Sequence, residues 1–218
     1  SQGLNRFNPA TGKCRRYFEQ EGFPNSWVYG MLRDSAGRLW MSTNHGITCF
    51  DDRQPEGKKF KNYDISDGLP GNEFNRHSFC RLRSGEFLFG GTHGVVRFDP
   101  MHMKGNPFIP PVVFTSVTKM GTRATLERGA GGESLLALNY EENVFAFEFA
   151  ALNFTNASKN RYAYMMEGLD HGWVYSGTRR YVNYTHLDPG AYRFRIKGSN
   201  NDGLWNEEGI SIAVLIRP

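Results

Sequence analysis

The sequence predicts an all-β protein in two parts: a partial β-propeller comprising the last two blades of such a ring, then an immunoglobulin/fibronectin-like β-sandwich. Three observations predict it. One stretch of the first half occurs twice, strand-length apolar runs fill the second half, and glycine (25 residues) and aromatic residues (14%) are abundant. Such a composition favours strands and turns over helices.

The repeat comes first. Gly22 to Asp51 reads GFPNSWVYGMLRDSAGRLWMSTNHGITCFD, and Gly68 to Pro100 reads GLPGNEFNRHSFCRLRSGEFLFGGTHGVVRFDP. Each copy opens on a Gly-x-Pro turn, reaches a turn glycine (Gly37, Gly85) and returns through Leu39-Trp40 or Leu88-Phe89. Each then closes on His-Gly and a short strand ending in Phe. A partial third copy, GLNRFNP, stands at the start, so Gly3, Gly46 and Gly94 mark one recurring position. A period of roughly 40–50 residues is the propeller range. Within a copy, Val28-Leu32, Arg38-Ser42, Gly46-Phe50 and Phe60-Tyr63 read as one four-stranded antiparallel blade. A blade alone cannot bury its two faces, and closure takes about four to eight blades. Two blades and the last two strands of a third are therefore expected to be part of a longer protein.

The blades are expected over 1–100. Met101 to Pro111, MHMKGNPFIPP, has the prolines of a linker. The sandwich is expected over 112–218, with strands at Val112-Met120, Glu133-Asn139, Val144-Ala151, Arg161-Glu167, Tyr181-Tyr184, Ala191-Gly198 and Ile210-Ile216. In two of them the alternation is plain. Phe145, Phe147 and Phe149 share a face, and Tyr192, Phe194 and Ile196 oppose Arg193, Arg195 and Lys197. The alternating Ile210, Ile212, Val214 and Ile216 should pack inward.

Several function classes find no support. No apolar run approaches the ~20 residues of a membrane span, and residues 1–20 lack a signal-peptide pattern. The net charge of +4 is spread over the chain apart from Arg15-Arg16 and Arg179-Arg180, whereas nucleic-acid modules cluster their basic residues. Cys14, Cys49 and Cys80 lack metal-site spacing and read as plain thiols, unless two of them pair in one disulfide and leave the third over. There is no nucleophile elbow, phosphate loop, zinc-protease motif or dinucleotide fingerprint. Gly129 to Gly132 reads as a hairpin tip. No catalytic residue, metal or cofactor is expected.

Position in the repeat sorts the remaining candidates. His45 and His93 occupy the same place in both copies and read as structural. His77 has no counterpart, since the first copy carries Tyr29-Gly30 on that strand, and it adjoins Asn75 and Arg76. Trp27 follows the turn into the innermost strand. Trp27, Asn72, Asn75, Arg76 and His77 are therefore the candidate ligand-binding set. Trp40, Phe89, Tyr162, Tyr164, Tyr192 and Trp205 fall at repeat or sandwich-core positions and are expected to pack in cores.

At Tyr162-x-Tyr164, Gly168-Leu169-Asp170, Trp173, Tyr184-Thr185, Leu187, Pro189-Gly190, Tyr192-x-Phe194, Asn200 and Gly203-x-Trp205 the second part resembles the triple-tyrosine (Y_Y_Y) domain. The blades resemble two-component regulator propeller repeats, and GLPGNEFN with GEFLFGGTHGVVRFDP looks like the blade that directly precedes such a domain. The resemblance implies the periplasmic sensor region of a Bacteroidetes-type hybrid two-component histidine kinase. There, propellers bind an oligosaccharide, a single span follows the sandwich, and the kinase lies inside the cell; a homodimer is implied as well. The sequons at Asn153, Asn156 and Asn183 are coincidence in a bacterial protein. A propeller lyase or hydrolase would instead need two carboxylates held close. The same repeats would also suit a protein-interaction module or a cytoplasmic transcription regulator.

Overall fold

The computed structural model describes residues 3–25, 27–129 and 131–218, and it forms two units, Ser1–Lys104 and Gly105–Pro218. In the first unit β1 (Leu4–Phe7) and β2 (Cys14–Tyr17) make a hairpin. Strands β3 (Val28–Arg33), β4 (Leu39–Thr43), β5 (Gly46–Phe50) and β6 (Phe60–Tyr63) form a four-stranded sheet in chain order. Strands β7 (Phe74–Arg81), β8 (Phe87–Gly91) and β9 (Gly94–Phe98) form a three-stranded one. Gly46 and Gly94 open β5 and β9 at φ of +90° and +118°, where a residue with a Cβ is strained.

From the turn glycine onward the two copies correspond at an offset of 48 residues, Gly37 with Gly85, Gly46 with Gly94 and Phe50 with Phe98. That offset pairs Trp40 with Leu88 and Met41 with Phe89, which corrects the Leu39-Trp40/Leu88-Phe89 match by one residue. Register agrees: Trp40 lies opposite Cys49, and Leu88 opposite Arg97. One residue matters because neighbours on a strand face opposite ways. Accordingly Met41 joins a core with Leu4, Tyr17, Phe23 and Phe50, while Trp40 joins the core of the two larger sheets with Ile47, Phe87 and Phe89. Trp40 also donates its indole N–H to Asp34 at 2.9 Å.

The second unit is a sandwich. Its strands are β10 (Val112–Lys119), β11 (Thr122–Arg123), β12 (Glu127–Arg128), β13 (Ser134–Asn139), β14 (Val144–Ala151), β15 (Tyr162–Glu167), β16 (Val174–Gly177), β17 (Tyr181–Thr185), β18 (Gly190–Ser199) and β19 (Trp205–Arg217). One sheet runs β11-β10-β14-β17 and the other β12-β13-β19-β18-β15-β16. Phe145, Phe147 and Phe149 of the first meet Tyr162, Phe194 and Ile212 of the second. At the centre the rings of Phe147 and Phe194 stack, with centroids 4.1 Å apart. Ile212, Val214 and Ile216 are each 1% exposed. The tip between β12 and β13 is closed by Gly129 N–H donating to the Glu133 carbonyl at 2.8 Å; Ala130 lies outside the described residues.

Trp205 departs from the core expectation. β19 begins well before Ile210, and Trp205 stands on the outer face with Tyr175 (centroids 5.7 Å apart) and Lys197 (Nζ 5.5 Å from the indole). Residues 105–110 are fastened to this unit by asparagines. Asn200 Nδ2 donates to the carbonyls of Asn106 and Phe108 at 2.8 Å each, and Asn206 Nδ2 to that of Pro110 at 3.0 Å. Asn106 Nδ2 in turn donates to Asn153 Oδ1 at 2.9 Å. Asn153 and Asn156 are both buried, which makes neither a glycan acceptor in the folded chain. The three cysteines are free; burial pushes the Cys49 thiol up to about 12. Among the described residues no helix is long and apolar enough to cross a membrane.

Candidate ligand-binding site

Each larger sheet of the first unit begins on a strand that is bulged near its start. In β3 the pairing with β4 shifts between Val28 and Gly30, adding one residue, Tyr29. In β7 the pairing with β8 jumps from Phe74–Gly91 to Phe79–Phe89, so that Asn75, Arg76, His77 and Ser78 together face Gly90 alone. The second copy thus spends three extra residues where the first spends one. His77 sits in that bulge at φ +60°, a conformation that costs a side-chain-bearing residue about 1–3 kcal/mol. Bulges re-aim side chains and gather at functional sites.

The two bulges meet. A Cβ on Gly30 would run into the ring of Phe79, which packs β3 closely on β7. The contact carries Arg76 over two rings, its guanidinium carbon 5.7 Å from the centroid of Trp27 and 5.8 Å from that of Tyr29. Trp27 remains half-exposed, and Asn75, Arg76 and His77 are exposed. Asn72 has a different task. Its Oδ1 accepts from the Ile65 N–H at 3.0 Å and its carbonyl from the Gly46 N–H at 2.7 Å, which holds the turn between the two sheets. Tyr29 was missed by sequence reasoning, although Trp27-x-Tyr29 is the spacing of two rings on one face. On the neighbouring strand end Ser42 Oγ and Asn44 Oδ1 are buried without a partner among the described residues. Ser42 lies opposite Gly30.

The histidines of the repeat stay in the turns: Thr43 Oγ1 accepts from the His45 N–H at 2.9 Å, and Thr92 Oγ1 lies 2.9 Å from His93 Nδ1. No group of three or more His, Cys, Asp or Glu among the described residues is placed to hold a metal.

One family model matches part of each unit. Residues 22–45 match the two component regulator propeller, and residues 153–217 match the Y_Y_Y domain. The chain carries a regulator propeller repeat followed by a Y_Y_Y domain. Over 208 residues it is 34% identical to histidine kinase P4 of Formosa agariphila, covering 92% of this chain and 15% of that relative. It also matches a crystal structure described as the extracellular domain of a hybrid two component system of B. thetaiotaomicron. That match has a TM-score of 0.80 and 28% identity over the whole of this chain and 30% of that one. The chain therefore spans less than a third of the length of either.

The tyrosines of the Y_Y_Y domain are pins of its core. Tyr162 OH accepts from the Ala151 N–H at 3.1 Å, and Tyr192 OH donates to the Asp188 carbonyl at 3.0 Å. Tyr184 OH has no partner among the described residues, and burial raises it above its ordinary value. On the domain's outer face Lys197, 6% exposed, lies 4.7 Å from the ring centroid of Trp173 and bonds Glu207 Oε2 at 2.7 Å. This ties β18, β19 and the approach to β16 together.

Proposed function

We propose that this chain is the extracytoplasmic, periplasmic end of a hybrid two-component histidine kinase, and that it takes part in sensing a glycan-derived ligand without catalysing a reaction. The observation that carries the reading is the succession of regulator-propeller blades and Y_Y_Y sandwich, matched along the whole chain by the extracellular domain of a hybrid two component system. In this reading residues 1–100 supply blades of the sensing region, 101–111 the connection, and 112–218 the domain that passes the signal toward a membrane span and kinase.

Trp27, Asn75, Arg76 and His77 form the ligand-facing set, and Asn72 holds their turn. A ligand changes the output only by binding one arrangement of the receptor better than another. The covalent route for that difference leaves the sandwich through β19, whose Ile212, Val214 and Ile216 are buried. The receptor acts as a homodimer, because a single span transmits relative motion between chains more readily than an isolated one.

The test is a reporter assay and calorimetry on the full-length receptor. A flexible Gly-Ser insertion directly after Pro218 should abolish ligand-dependent output and leave affinity unchanged. An insertion mutant that still responds fully sinks the relay. Sedimentation of the whole extracytoplasmic region as a monomer at high micromolar concentration sinks the dimer. Turnover of a polysaccharide by this chain would favour the lyase or hydrolase reading.

A further inference from the structure

Among the described residues four arginines lie over aromatic rings, and three of them also bond a carboxylate. Arg15 over Tyr17 pairs with Glu56 at 2.9 Å, Arg38 over Trp40 with Asp34 at 2.6 Å, and Arg195 over Trp173 with Glu167 at 3.0 Å. Arg76 is the exception. Placed over both Trp27 and Tyr29, it has no carboxylate within ion-pair distance among the described residues.

The chemistry of guanidinium makes that difference informative. Stacking engages the faces of the group, while its N–H donors lie in the plane and point outward at the edge. Rings at this separation attract its charge without consuming a donor. A fork with its donors open is the geometry that receives a carboxylate or sulfate in two parallel bonds. The fork is presented by a bulge of three extra residues that bends one strand only, with a strained His77 beside it, and Trp27 offers a half-exposed ring. A ring beside an oxyanion fork matches one kind of ligand: a sugar with an apolar C–H face and a charged substituent.

We propose that the Trp27–Tyr29–Arg76 bracket binds the oxyanion of an acidic oligosaccharide, a uronate or a sulfated sugar, with Arg76 as the residue that selects charge. This rests on the reading of the chain as part of a glycan sensor and adds the class of glycan. The three other ring-bound arginines neutralise the protein's own carboxylates; Arg76 is left for one that arrives from solution.

The experiment titrates the 218-residue chain with tetragalacturonate, its methyl ester, a sulfated galactan tetrasaccharide and its desulfated form. The charged member of a pair should bind at least tenfold more tightly, and the advantage should shrink as salt rises. R76Q should remove the advantage. R76K should keep part of it, since an ammonium offers charge without the planar fork. The pair showing the larger gap tells uronate from sulfate. Unchanged thermal unfolding of both variants confirms that the exposed substitution leaves the fold intact. Equal binding of charged and neutral members would overturn the charge assignment while leaving the glycan reading standing. Charged-sugar binding that R76Q does not touch would overturn the site. Absence of binding by all four, in this chain and in the whole extracytoplasmic region, would overturn both.

Discussion

Strands β5 and β9 hold the same place in consecutive copies of one repeat, and they meet opposite surroundings. Ile47 is 2% exposed and its counterpart Val95 66%. Every residue of β5 is buried, and none of β9 is. β5 has β6 along its edge, and its Ile47 and Cys49 pack with Phe87 and Phe89 of the next sheet; β9 is the last strand of its own sheet. The difference teaches that a blade strand is buried by its neighbours and hardly at all by its own sequence. The sequence nonetheless records which neighbour to expect. Where β5 carries the buried Cys49, β9 carries Arg97, held by Glu86 at 2.8 Å on the surface.

Gly46 and Gly94 sharpen the contrast most. A Cβ at Gly46 would run into the Tyr63 carbonyl oxygen, as one at Gly3 would into that of Tyr17, whereas nothing lies within 4 Å of one at Gly94. Gly46→Ala should therefore destabilise the first unit by roughly 3–5 kcal/mol, through strain and a broken β5–β6 edge. Gly94→Ala should cost only about 1–3 kcal/mol, from backbone strain alone. Urea denaturation followed by tryptophan fluorescence compares them, and equal losses would show that the edge of β5 adds nothing.

The next pair separates faces from edges. Ile47→Ala should lose about 2–4 kcal/mol by opening a cavity, against less than about 0.5 kcal/mol for Val95→Ala. Amide exchange gives a smaller but residue-resolved difference. The amides of β5 should exchange at least roughly tenfold more slowly than those of β9, and matching rates would mean that β9 is covered in solution.

The smallest effect is set by pH. Asp51 and Asp99 follow β5 and β9 at the same offset. Hydrogen bonds from Arg53 hold the Asp51 carboxyl down to about 2, while His102 holds that of Asp99 below its ordinary range. A depressed carboxyl adds stability that is complete above its unfolded value of about 4 and is lost as pH falls through its folded value. Asp51→Asn should therefore narrow the stability gap between pH 5 and pH 2. A gap of unchanged size would mean that the Arg53 bonds are not kept in solution.

Much of this was legible because glycine and parity leave marks. The turn glycines fixed the repeat, and alternation placed Phe145, Phe147 and Phe149 inside. Parity also held the answer for Trp205. Counting back from Ile210 by twos puts Trp205 and Glu207 on the outer face with Lys197, but ending the strand at Ile210 hid it. The bracket around Arg76 was less accessible. Trp27, Arg76 and the departure of His77 from the repeat could be noticed singly. Their meeting depends on a three-residue bulge, whose length no alternation pattern states, and on Tyr29 of the facing strand.

The last strand has a mechanical side. β19 lies between β18, antiparallel to it, and β13, which runs parallel and pairs Leu135 to Asn139 with Ala213 to Arg217. A pull along the chain from Arg217 would load two rows of hydrogen bonds in shear, many at once, so they could not be peeled open one after another. The opposite end of the domain, where asparagine side chains clasp residues 106–110, is likewise fastened before β10 begins. A tug at either end should move the sandwich as one body before it draws out thread.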